Sequence, residues 1–238
     1  MKTICTLTLK SALRDPYLLF WSLFFPIAGT LGLGHFIGAE GYPSRIMTGM
    51  MCVSVVFYAY MTTVFSNLAQ RRRGVFNLLH VTPLPLGKYV VSVSSAWAVL
   101  SLLCSSAVLL AGMLVFQLRI SVRSFPLLAL SICAAAAGYI FFSFFISSRC
   151  KNEGVASLMS NVIVLPLLFC SDGFYSLSEA PGVVRALSRV NPFQFFLNAV
   201  RASLQLDAGP YLLALFQLAL LILLTLPLAV RTFRYAER

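Results

Sequence analysis

Long apolar runs alternate with short polar connections along the whole chain. Six runs have the length of a membrane crossing, which takes about 20 mostly apolar residues. They are roughly Tyr17–Phe36, Ile46–Ser66, Tyr89–Phe116, Phe125–Ser147, Val155–Tyr175 and Tyr211–Val230. An alternative divides the long third run or makes the fifth one re-entrant. The connections are too short to hold a soluble domain, so the pattern predicts one all-α polytopic membrane domain over residues 1–238.

Composition sharpens this reading. Of the 238 residues, 59% are hydrophobic and only 11% charged, and the mean hydropathy is +0.88. A soluble domain carries about 25% charged residues. An even number of spans puts both ends on one side, and the basic residues choose which. With the termini inside, the inner positives are Lys2, Lys10, Arg14, Arg71, Arg72, Arg73, Lys88, Arg149, Lys151, Arg231, Arg234 and Arg238. The outer ones are Arg45, Arg119, Arg123, Arg185, Arg189 and Arg201, so the 18 basic residues divide twelve to six. The positive-inside bias therefore predicts cytoplasmic termini. The net charge of +11 reflects this asymmetry and suits anionic lipid headgroups. Spread over several short loops, it does not form the basic domain of a nucleic-acid binder. The first apolar run has span length behind three basic residues, which suits an uncleaved first span better than a signal peptide. The ends carry neither a myristoylation nor a prenylation signal.

Several chemistries lack their residues. The six cysteines (Cys5, Cys52, Cys104, Cys133, Cys150 and Cys170) form no CxxC pair and read as packing residues in or beside apolar runs. The two histidines, His35 and His80, fall on opposite sides of the predicted membrane, so no metal site is expected. All seven acids fall in loops or at span ends. A carrier driven by an ion gradient usually buries an ionisable group near mid-membrane, and that reading is weakened here, although sites for Na⁺ built from backbone carbonyls stay open. Intramembrane proteolysis is weakened as well, since neither a deep histidine nor paired buried acids are present. Gly87-Lys88 is no phosphate-binding loop: Thr82 stands where the first glycine is required and Tyr89 where Ser or Thr is required. No catalytic residue is expected, and energy for any transport must come from a separate ATPase subunit.

The stretch Gln70–Lys88 (QRRRGVFNLLHVTPLPLGK) is the most informative segment. It is basic and amphipathic, and lies between two apolar runs. At helical periodicity Leu68, Val75, Phe76, Leu78 and Leu79 share one face, and Gln70, Arg73, Asn77 and His80 the other. Arg71 and Arg72 fall at the borders, where long side chains can reach lipid phosphates. Pro83 and Pro85 end the helix. One reading is an interfacial helix lying on the bilayer. The functional reading is a cytoplasmic docking surface.

A second unusual stretch runs from Leu167 to Arg201. It begins as a span, breaks at Ser171-Asp172-Gly173, and predicts a short helix near Pro181–Val190, started by Pro181 and stopped by Asn191-Pro192. Val183, Val184, Leu187 and Val190 form an apolar stripe on it. The pattern reads as a structure dipping into the outer half of the membrane, where irregular backbone is tolerated only against protein or water. The competing reading is an ordinary outer loop with an interfacial helix.

Taken together these pieces resemble the transmembrane permease subunit of type-2 ATP-binding-cassette exporters, over essentially the whole length. The resemblance rests on an N-terminal basic helix before the first span and on the Gly-x-x-x-x-Leu-x-x-Thr-Pro-Leu segment from Gly74 to Leu84, with Gly87-Lys88 after it. It rests also on Ser171-Asp172-Gly173-Phe174 followed by Pro181, and on Asn191-Pro192-Phe193 with Arg201 nine positions after Pro192. The resemblance implies a bacterial cytoplasmic-membrane protein of six spans, with an N-terminal amphipathic helix, a cytoplasmic coupling helix and outer re-entrant helices around spans five and six. It implies two permeases side by side above a dimer of ABC ATPase subunits. ATP and Mg would be bound by those partners and no cofactor by this chain. Gln70, Arg73, Gly74, Asn77, His80, Thr82 and Pro83 would then couple to the ATPase. Ser171, Asp172, Gly173, Phe174, Pro181, Asn191, Pro192 and Arg201 would cap the outer end of the pathway.

One departure from the family pattern stands out. Positions where relatives usually carry acids in the coupling segment hold Gln70, Arg72 and Asn77, which suggests pairing with a second, non-identical permease that keeps the acids. Gly34 and Gly38 form a GxxxG pattern suited to a permease–permease contact, a frequent pattern in membrane helices generally. The aromatic residues Phe20, Trp21, Phe24, Phe25, Tyr58 and Tyr60 suit packing or lipid contact more than an apolar cargo. The expected cargo is an amphipathic drug, antimicrobial peptide or lipid-like compound. Two other classes stay open: a motor-free immunity or assembly factor that binds a toxin or lipid, and a channel, for which no filter of ringed charges is visible.

Overall fold

Each apolar run folds as helix, because a chain in lipid must satisfy its backbone groups internally. The computed structural model describes residues 2–14, 16–37, 39, 41–74, 86–118 and 120–235. Helix α1 is Lys2–Ala12, and α2 runs from Pro16–Leu19 through a π segment, Phe20–Phe24, into Phe25–Phe36. Helix α3 is Tyr42–Arg72, α4 Leu86–Phe116, α5 Ser124–Arg149 and α6 Glu153–Phe169. After a 3₁₀ turn, Leu177–Glu179, come α7 (Gly182–Ser188), α8 (Pro192–Gln205) and α9 (Ala208–Tyr235). Among the described residues there is no strand.

Among the described residues, four helices are long and apolar enough to cross a membrane: α3, Val91–Phe116 of α4, α5 and Ala208–Ala229 of α9. The apolar helices Phe20–Phe36 and Glu153–Phe169 are shorter. The chain is thus a multi-pass, all-helical membrane protein. The fifth apolar run is cut short because the backbone turns at Cys170–Gly173 instead of continuing to Tyr175.

The centre of the bundle is α3, whose most apolar window is 83% buried, against 22% for the corresponding window of α9. It packs on α2, α4, α5 and α8, while α9 lies against α5 and α8 and turns its other face outward. Lipid offers no hydrophobic drive for helix association, so close packing must supply it, and small residues allow the approach. On α5, Ala135 and Ala136 are fully buried, and a Cβ on Gly138 would sit 2.9 Å from Leu221 Cδ2 of α9. Gly34 and Gly29 work the same way within the chain. Gly34 is buried against the Phe116 ring of α4, and Gly29 faces Met50 of α3. Gly38 lies outside the described residues.

Two π segments face each other at the α2–α3 contact, Phe20–Phe24 and Phe57–Thr62. A π turn displaces carbonyls from their usual amides, and hydroxyls take up the slack. Ser54 donates to the Ser22 carbonyl, Thr62 to the Phe57 carbonyl at 3.0 Å, and Thr63 to the Tyr58 carbonyl at 3.4 Å. Trp21 stacks on Phe57 across the gap, with ring centroids 6.0 Å apart.

Candidate functional site

The two ends of α3 mark two polar junctions, joined by α6. The first is built where α6 breaks. Helix α6 starts cleanly: Asn152 accepts a hydrogen bond from Val155 N at 2.8 Å, and Glu153 in the first turn suits the helix dipole. It ends at Phe169, and the next residues turn back over the start of α3. Asp172 becomes the hub. Arg201 of α8 donates from Nη1 to Asp172 Oδ2 at 2.7 Å and from Nη2 to the Asp172 carbonyl at 2.7 Å, while its Nε reaches Thr48 Oγ1 at 3.4 Å. Arg45 Nε lies 3.8 Å from Asp172 Oδ1. Gln194 Oε1 accepts from Asp172 N at 2.8 Å, and Gln194 Nε2 donates to Asn198 at 2.8 Å. Asp172 thus gathers two guanidinium groups about its carboxylate and the Gln194 amide at its backbone N–H, and Arg201 links it to Thr48 near the start of α3.

Asn191 closes the same junction from the side. Its Nδ2 donates to the carbonyls of Leu167 at 2.7 Å and Cys170 at 2.9 Å, two of the acceptors α6 leaves free at its end. Its Oδ1 accepts from Phe193 N at 2.9 Å, capping α8, with Pro192 at the first helical position. Ser171 is buried and donates to the Leu168 carbonyl at 2.6 Å. Gly49 of α3 lets this turn approach: a Cβ there would lie 2.4 Å from the Gly173 carbonyl oxygen.

The structure therefore brings together Ser171, Asp172, Gly173, Asn191, Pro192 and Arg201, all anticipated from sequence. Pro181 caps the start of α7, at the other end of a short helix. The apolar stripe of α7 is largely left open among the described residues: Val183, Leu187 and Val190 are exposed, Val184 is half-buried, and the buried residue is Ser188. Arg45, Thr48, Gly49 and Gln194 were missed.

The second junction lies at the far end of α3. The amphipathic stripe read across Gln70–His80 as one helix is corrected: α3 stops at Arg72, and Gly74 adopts a left-handed φ of +69°. The stop is a glycine C-cap, with Arg73 N bonded to the Ala69 carbonyl at 3.0 Å and Gly74 N to the Arg71 carbonyl at 3.1 Å. Gln70 consequently belongs to α3, where its Nε2 donates to Ser66 Oγ at 3.1 Å. Arg73 is exposed beside Gly74. Asn77, His80, Thr82 and Pro83 lie outside the described residues. Arg71 and Arg72, read as lipid-reaching, instead engage the α5–α6 turn. Arg71 donates to the Ser148 carbonyl at 3.2 Å and to the Cys150 carbonyl, and Arg72 pairs with Glu153 at 2.7 Å. Burial pushes the Cys150 thiol up from its ordinary value, and the neighbouring Arg71 guanidinium works against that shift.

Between the junctions lies a largely apolar cavity of about 570 Å³, walled by α2, α3 and α6 and by Phe174 just beyond the α6 break. Trp21, Phe25, Met50, Phe57, Asn161 and Leu168 are among its lining residues. Of the aromatics singled out in the sequence, Trp21 and Phe25 reach this cavity, Phe20 and Phe24 are exposed, and Tyr58 and Tyr60 are buried.

The family model for the ABC-2 type transporter matches residues 1–204, from α1 into α8. The chain belongs to that family. A permease component of an ABC-2 transporter is generally non-catalytic and normally works with an ABC ATPase. No curated protein matches the chain. In this ABC-2 chain both junctions and the cavity fall within the matched region.

Proposed function

We propose that the chain is the membrane half of an ATP-driven exporter, with six crossings and both termini in the cytoplasm of a bacterial inner membrane. Helices α2 and α6 make the first and fifth crossings, the latter completed by the turn around Asp172. The Arg73 end of α3 then faces the cytoplasm and the Asp172 end faces outward. A dimer of ABC ATPase subunits binds ATP and Mg and docks on the segment including Gln70, Arg73, Gly74, Asn77, His80, Thr82 and Pro83. A second permease completes the membrane part. It is a non-identical one, which carries the acids that this chain replaces with Gln70, Arg72 and Asn77.

The observation that carries this reading is the cavity. Its walls run along α6 from Ser157 to Phe169 and reach Phe174, beside the Asp172 hub. Its apolar lining fits an amphipathic cargo, such as a drug, an antimicrobial peptide or a lipid-like compound, taken from the inner leaflet. The turn at Ser171–Phe174 with Pro181, Asn191, Pro192 and Arg201 forms the outer cap, and α7 with its exposed apolar stripe dips into the outer leaflet. ATP binding closes the motor dimer, the membrane halves shift, and the cap opens.

Inside-out vesicles from the native membrane test this reading. Ser157→Cys, in a chain whose own cysteines are replaced by alanine, places a thiol on the cavity wall. Mg-ATP with vanadate should change its rate of maleimide labelling. An unchanged rate, with the ATPase demonstrably trapped, would favour the motor-free immunity or assembly factor.

A further inference from the structure

We infer that Arg71 is a positioning residue that joins the end of α3 to the α5–α6 turn, so that movement of the Arg71–Gly74 end of α3 is delivered to α6 and through it to the Asp172 hub. The inference rests on the motor-driven reading above.

The joint is specific. The last carbonyls of a helix have no intrahelical partner and form its negative end. Arg71 Nη1 and Nη2 reach two of them at the end of α5, the Ser148 carbonyl at 3.2 Å and the Cys150 carbonyl. A guanidinium fork can hold two acceptors in one fixed geometry, which a lysine ammonium on a flexible stem cannot. The joint is half-buried. The neighbouring Arg72–Glu153 pair is more exposed, at 47% and 63% of the side chains, so it contributes less. Only Cys150–Asn152 separate α5 from α6, and Asn152 caps α6 directly. Anything that displaces Arg71 therefore displaces the start of α6.

Helix α6 is placed to carry that displacement. Its 17 residues span roughly 25 Å, with Pro166 inside the helix near its end. Cavities border it on two sides. Ser157, Asn161, Leu165 and Leu168 line the one of about 570 Å³, and Ile163, Val164 and Leu167 line another of about 210 Å³ between α3, α5 and α9. Only Ala156, Ser160 and Val164 are buried along its length. Among the described residues, its polar ties lie mainly near its two ends: Arg72 at the start, with Arg71 holding the end of α5 just before it, and the Asn191, Gln194 and Arg201 contacts at the finish, while at mid-length the buried Ser160 hydroxyl faces Tyr60. A helix tied mainly near its ends, with few buried residues between them, can pass a displacement of its start toward the Asp172 turn.

Hydrogen exchange on the complex as isolated from its native membrane, permease with ATPase, tests the assignment. In the wild type, Mg-ATP with vanadate should change amide exchange both at 148–153 and at 170–173. Arg71→Ala should abolish the response at 170–173, and Arg71→Lys should reduce it. Exchange without nucleotide elsewhere in α5 and α9, and ATPase stoichiometry, should stay as in the wild type. Exchanging the charges in Arg72→Glu with Glu153→Arg should leave the response in place. A wild-type response at 170–173 in either Arg71 variant overturns the inference, and the lysine variant serves if the alanine variant does not fold. A wild type that responds at 148–153 but not at 170–173 overturns it while sparing the motor-driven reading. A wild type with no nucleotide response anywhere overturns both.

Discussion

Removing the Arg201 guanidinium isolates the strongest contact of the Asp172 hub. Arg201→Gln deletes the 2.7 Å ion pair and the 2.7 Å bond to the Asp172 carbonyl, and leaves Asp172 with Arg45 at 3.8 Å. Stranding one partner of a fully buried pair costs about 3–5 kcal/mol. The side chains here are 22% and 24% exposed, and solvent screening brings the expectation to about 1–3 kcal/mol. For a chain of this size about 1 kcal/mol moves the midpoint by roughly 2–4 °C, which predicts a drop of roughly 2–12 °C. Thermal unfolding in mild detergent, followed by the fluorescence of Trp21 and Trp97, reads it. Arg201→Lys keeps the charge but not the fork and should fall between. In a cycle with Asp172→Asn, the double variant should lose less than the sum of the singles by about 1 kcal/mol or more. Additive losses, or a midpoint for Arg201→Gln within about 1 °C of the wild type, would refute the hub.

Other substitutions probe neighbouring contacts. Gly49→Ala drives a methyl to 2.4 Å from the Gly173 carbonyl, a backbone atom, and should cost about 1–3 kcal/mol by thermal unfolding. Gly32→Ala, whose added Cβ meets nothing within 4 Å, should be neutral or slightly stabilising in the same assay. Asn191→Ala removes a helix cap and two bonds to the end of α6, and should lower stability by about 2–4 kcal/mol. Arg73→Glu, on an exposed side chain at the end of α3, should lower ATP hydrolysis by the isolated complex without reducing membrane insertion, as read by activity per assembled complex.

The helices were legible because a lipid-facing helix must be apolar over its whole length, and the six runs say so directly. Their ends were less so. Gly74 after a basic last turn is a helix stop, yet the amphipathic stripe extends past it and suggests one continuous helix. Asn191-Pro192 read as the end of α7, while in the structure its main work is to start α8 as cap and first residue. That signal was present in the sequence and was attached to the wrong helix. The π segments carry no periodicity of their own. At the hub, the residues of the broken fifth run and Arg201 could be named from their order along the chain. Their α3 partners could not, because Thr48 and Arg201 are 153 residues apart and nothing local marks either for the other. Arg71 sits in a basic run that looks the same whether it serves lipid phosphates or the carbonyls of α5. Only the close approach of the α5–α6 turn decides between them.

The most direct measurement is affinity purification of the tagged chain from its native membrane in mild detergent, with quantitative mass spectrometry of what accompanies it. The account predicts an ABC ATPase at equal stoichiometry to total permease, together with a second permease that bears acids at the positions of Gln70, Arg72 and Asn77. Two copies of this chain with the ATPase would contradict the non-identical pairing. Recovery of the chain without any ATPase, under conditions that keep other membrane complexes intact, would contradict the motor-driven function itself.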